Sequence, residues 1–129
     1  MRKAIELLKD VNLNSVCIED DGRGVTLDFI NMENGANAGR IKCFGVIALD
    51  YQNCFDEEDY EGFAAYVGSI FLKRISVEAC EGWLKNKYRF TLEDPSEYMD
   101  LLVVHVLGGE VDLQVVCKIA HFNGLLVGI

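Results

Sequence analysis

Leu101-Leu102-Val103-Val104-His105-Val106-Leu107-Gly108-Gly109-Glu110-Val111-Asp112-Leu113-Gln114-Val115-Val116-Cys117 decides the fold, because two apolar runs flank a glycine pair that can reverse the chain. Both glycines tolerate the positive φ values of a type I′ turn, whose twist suits two antiparallel strands. Pairing Leu107 with Glu110 sets Val106 against Val111, His105 against Asp112, Val104 against Leu113, Val103 against Gln114 and Leu102 against Val115. In the second strand Val111, Leu113, Val115, Cys117 and Ile119 alternate with Glu110, Asp112, Gln114 and Lys118. That period of two marks a strand buried on one side, and a slip of one residue would turn its apolar set to solvent.

Outward from this hairpin the chain reads as a mainly antiparallel α+β domain, a meander, curled sheet or sandwich with a short N-terminal helix. Ala4, Ile5, Leu8 and Val11 fall on one side of a helical wheel, with Arg2, Lys3, Glu6, Lys9 and Asp10 mainly elsewhere. Val16 to Ile18, a turn at Asp21-Gly22-Arg23-Gly24, and Val25 to Phe29 predict a second hairpin. After the Asn- and Gly-rich loop from Asn34 to Gly39, the run Ile41 to Leu49 is apolar on both parities over its second half, which predicts a central strand covered on both faces. Ser69 to Val77 alternates as a strand, a helical turn is expected around Glu78 to Leu84, and Tyr88, Phe90 and Leu92 alternate as another strand. Lys85, Lys87 and Arg89 share a parity that suits a solvent-facing strand edge, where lysines discourage edge pairing.

A chain of 129 residues that is 50% hydrophobic can bury a core as one continuous domain spanning 1–129. Its five cysteines are scattered without a C-x-x-C pair, so they read as reduced thiols in a cytoplasmic protein. The apolar stretch at the N-terminus is interrupted by Glu6 and Lys9, and no run approaches the roughly 20 apolar residues of a membrane span. A net charge of −9 argues against nucleic acid and suits a basic protein partner.

His105 and Asp112 are the candidate catalytic residues, since a carboxylate opposite an imidazole can orient a general base; a surface ion pair is the plainer reading. His121 falls on the apolar parity and is expected as a partly buried core histidine, and no metal or cofactor motif is present. Asp56, Glu57, Glu58 and Asp59, with Phe55, Tyr60 and Phe63 nearby, form a candidate electrostatic contact for a cationic partner. Met99, Leu101 and Val103, beside Val116, make an outward apolar patch that the N-terminal helix or another chain must cover. The leading functional expectation is a non-catalytic protein-binding module of the inhibitor or immunity type. A small enzyme or ligand pocket using His105 with Asp112 is the alternative, and a self-associating module such as a homodimer is the third.

Overall fold

The computed structural model describes residue 8 and residues 10–53, 66–88, 98–108 and 111–127. Its elements are β1 (Val11–Glu19), β2 (Gly24–Asn31), β3 (Asn37–Phe44), β4 (Ala48–Asn53), β5 (Tyr66–Val67), β6 (Ser69–Ile75), α1 (Val77–Tyr88), β7 (Leu101–Leu107), β8 (Val111–Cys117), β9 (Ile119–Phe122) and β10 (Leu125–Leu126). The first sheet runs β10-β9-β3-β2-β1-β5 and the second β4-β8-β7-β6. Val25, Leu27, Phe29, Ile41 and Cys43 of the first meet Leu72, Val104, Val106, Leu113, Val115 and Cys117 of the second in one core. The architecture is a sandwich, stabilised by roughly 1.5–3 kcal/mol for each fully buried large aliphatic or aromatic side chain.

The β7–β8 hairpin forms with its faces as expected, but its register moves by two residues. Leu107 pairs with Asp112, Val106 with Leu113 and His105 with Gln114. Gly108 does not take a positive φ; instead its N–H donates to the Val111 carbonyl at 2.8 Å. A two-residue shift leaves every side chain on the same face, so the apolar pattern could not distinguish the two registers. Backbone contacts accompany the observed one: the Gly68 N–H donates to the Leu107 carbonyl at 3.0 Å, and a Cβ at Gly108 would lie 1.7 Å from the Tyr66 carbonyl oxygen.

Two sheet crossings correct other expectations. The run Ile41 to Leu49 is two strands rather than one central strand, because Gly45 takes φ 63° and Val46-Ile47 carry the chain from β3 to β4, an edge of the second sheet. The Val46 N–H donates to Arg23 O and the Ile47 N–H to Val116 O, both at 2.8 Å, so the crossing itself is hydrogen-bonded. At Lys118 the chain returns from β8 to the first sheet, and the inward parity switches from odd to even. Ala120 and Phe122 therefore face the core, while His121 lies on the outer face beside Lys42, not on the apolar side.

The strand expected over Ser69 to Val77 forms as β6 but ends at Ile75, because Val77 begins the helix; the helical turn expected around Glu78 to Leu84 extends into α1. Lys85 and Lys87 are exposed on that helix rather than on a strand edge, and Tyr88 ends it rather than opening a strand. Residues 89–92 lie outside the described residues, as do residues 1–7, where the N-terminal helix is expected. Val11, assigned to that helix by its spacing, begins β1 and is buried.

Helix α1 is a third layer. Cys80 and Leu84 pack with Ile75, Leu101, Val103 and Val116, which belong to the outer face of the second sheet. Asp100 holds its start: the Val77 N–H donates to Asp100 Oδ1 at 2.7 Å, and the Arg74 guanidinium pairs with Oδ2. Arg74 first, and the Val77 amide second, hold the Asp100 carboxyl below its ordinary value of 3.8. Such a group contributes stability above its unfolded pKa, and the contribution is lost as pH falls through the lower folded one. Asp100→Asn should therefore lower the urea midpoint at pH 6 and close part of that gap at pH 3. A gap between variant and parent that does not change with pH would contradict the capping account.

Candidate functional site

The outer face of the second sheet is divided in two by α1. Under the helix lie the apolar residues Ile75, Leu101, Val103 and Val116, with Ala48 and Ile47 at the margin. Beyond it the cross-strand partners form one row of Asp50, Gln114, His105 and Phe71, and a second of Gln52, Asp112, Leu107 and Ser69. This second half is polar, with two exposed apolar side chains, Phe71 at 51% and Leu107 at 36%.

The structure brings His105 and Asp112 together as the sequence suggests, though diagonally. His105 Nε2 and Asp112 Oδ1 are 2.7 Å apart, reached across one step of the ladder because their direct partners are Gln114 and Leu107. The Phe71 ring lies 6.0 Å from the imidazole at a 52° tilt. The side chains retain 27% and 43% of their exposure, so this is a half-covered pair on a sheet face. Such a contact fixes the ring's orientation and leaves the Asp112 side chain partly exposed. At the boundary with α1 stands Tyr88, whose phenol is raised by burial and secondarily by Asp50; Trp83 meets its ring edge-on at 5.8 Å.

The other candidates are distributed differently. Leu101 and Val103 are buried beneath α1, so the cover of that patch is this chain's own helix, though a different one from the N-terminal helix expected. Met99, at the rim, is 39% exposed. Asp56, Glu57, Glu58 and Asp59 lie outside the described residues and follow β4 in sequence.

The outer face of the first sheet carries a polar network with no counterpart among the residues expected from sequence. Thr26 Oγ1 donates to Glu19 Oε1 at 2.9 Å, Glu19 Oε2 lies 3.8 Å from Lys42 Nζ, and Arg40 Nε donates to Asp28 Oδ1 at 2.6 Å. Asp28 raises the Arg40 guanidinium further above its ordinary range. The signal was the alternation of Arg40, Lys42 and Phe44 with Ile41 and Cys43, which the apolar residues following it obscured.

A two-sheet antiparallel sandwich with a helix on one outer face is thus the class of protein. Residues 6–124 match the model of a protein family described only as "-like", and the chain belongs to that family. No curated protein is significantly similar to it. Among solved structures it resembles the crystal structure of an uncharacterized protein from Neisseria gonorrhoeae, at 21% identity and a TM-score of 0.60, covering 92% of this chain and 94% of that one. This likeness supports the fold. Among the described residues no helix is long and apolar enough to cross a membrane.

Proposed function

We propose that the protein is a non-catalytic binding module for a cationic protein surface, docking through the half of the outer second-sheet face that α1 leaves open. The supporting observation is the composition of that half: Asp50 and Gln52 on β4 and Asp112 and Gln114 on β8 share a face with exposed Leu107 on β7 and exposed Phe71 on β6, where Lys73 is the neighbouring cation. Exposed aromatic and aliphatic anchors beside polar groups are a pattern of protein interfaces. The net charge of −9 and the two carboxylates select the sign of the partner, and their long-range attraction would act mainly on its rate of association. His105 serves here as the group that fixes Asp112, and the pair needs no substrate to explain it. The acidic run Asp56 to Asp59 adds charge of the same sign to the chain.

The test is affinity capture of the tagged full-length protein from extracts of its own cells, beside the variants Phe71→Ala and Asp112→Asn. A stoichiometric partner recovered by the parent and reduced roughly ten-fold or more by Phe71→Ala, the loss of one hot-spot side chain, is the expected result. Absence of any stoichiometric partner, or equal recovery by all three proteins, sinks the proposal.

A further inference from the structure

The geometry points to a binding site for a small phosphate monoester on the opposite face of the molecule, where β3 meets the β9–β10 turn. An open cavity of about 420 Å³ is lined there by Asn37, Arg40, Lys42, His121, Asn123 and Gly124. Its lining is rich in hydrogen-bond donors for a structural reason. The Asn37 side-chain oxygen already accepts the Gly39 N–H at 2.9 Å, and the Asn123 side-chain oxygen accepts the Arg40 N–H at 2.9 Å. Each amide therefore keeps its NH2 group as the end with hydrogen-bonding capacity to spare. Arg40 uses Nε on Asp28, which leaves its two terminal nitrogens outside that bond. Lys42 stands 5.4 Å above the Phe44 ring, and His121 meets the same ring edge-on at 5.1 Å.

The site is also built to hold its shape. Asn123 grips both backbone groups of Arg40, because its own N–H donates to the Arg40 carbonyl at 2.9 Å while its side chain accepts the Arg40 N–H. Asn123 and Gly124 take φ values of 51° and 84°, the two positive values of a tight hairpin turn. Asp28 holds Arg40 at 2.6 Å, and Glu19 lies 3.8 Å from the Lys42 ammonium. Arginine, lysine, imidazole and two amides supply more donors than the two oxygens of one carboxylate can accept, and they match the three terminal oxygens of a phosphate. The volume beyond those donors leaves room for an organic body.

The experiment follows backbone and side-chain amide shifts of the full-length protein by NMR during titration with inorganic phosphate, phenyl phosphate and benzoate at constant ionic strength. Both phosphate probes should give saturable shifts at Arg40, His121 and Asn123, with phenyl phosphate binding the tighter, and benzoate should give none at the same concentrations. Asn37→Asp keeps the oxygen that accepts the Gly39 N–H while replacing the donor with a negative charge, so it tests the site without removing that turn contact. It and Lys42→Gln should each weaken the phosphate probes roughly ten-fold or more. Unsaturable shifts, equal binding of benzoate, or unchanged titrations in both variants would overturn the assignment.

Discussion

Gly108→Ala is expected to destabilise the protein by about 3 kcal/mol or more, the upper range for forcing atoms into a packed site. The Cβ it adds would meet the Tyr66 carbonyl oxygen at 1.7 Å and the carbonyl carbon at 2.9 Å. These are backbone atoms, so no side-chain rotation relieves the clash. β5 must separate from the end of β7, and the Gly68 to Leu107 hydrogen bond lies in the path of that movement. Gly82→Ala supplies the opposite control, because a Cβ there meets nothing within 4 Å and the position lies inside α1. It should stabilise by roughly 0.5–1 kcal/mol through helix propensity. Urea midpoints moving in opposite directions are the expected pair of results; a Gly108→Ala midpoint within error of the parent would contradict the close packing of Gly108 on Tyr66.

Leu84→Ala is expected to cost about 2–5 kcal/mol, the range for removing a fully buried leucine. Leu84 has 0% exposure and packs among Leu101, Val103 and Val116, so the truncation opens a cavity between α1 and the second sheet. The effect should be local in kind. Binding of a hydrophobic dye to the native state should rise as the helix loosens from the apolar half of the face, while amides at Leu27, Phe29 and Ile41 in the sandwich core keep their exchange protection relative to the variant's own global stability. A loss below about 1 kcal/mol would mean that α1 is not the cover of that face.

The hairpin shows what a pattern of alternating residues can and cannot decide. Val111, Leu113, Val115 and Cys117 identified the inward face, and that face is buried. The same alternation is satisfied by any even shift, so the expected register rests on turn chemistry at Gly108-Gly109 alone, and the observed one sets Gly108 against Tyr66, a residue about forty positions earlier. His105 and Asp112 still meet because direct and diagonal neighbours on one face both lie within reach of long side chains. His121 lies off its expected face for a related reason: that expectation carries one parity through Lys118, where the chain changes sheets. Crossings at Gly45 and Lys118 are tertiary events, each held by hydrogen bonds to distant segments that local periodicity does not encode. The cover over Leu101 and Val103 was likewise anticipated as a helix, but which helix depends on how β6 delivers α1 to the outer face.

The phosphate cavity was the least legible feature. Its donors come from positions 37–42 and 121–124, adjacent only because β3 pairs with β9. Asn37 reads locally as a loop residue and Asn123 as a turn residue, and each becomes a donor toward the cavity through the bond its oxygen makes to the backbone.

The most direct test of the docking face is hydroxyl-radical footprinting of the free protein and of its stoichiometric complex with the captured partner. Phe71 and Leu107 should lose reactivity in the complex, while Ile18, Leu125 and Leu126, exposed on the other sheet, keep theirs. Protection of Leu125 and Leu126 with Phe71 unchanged would contradict docking through that face.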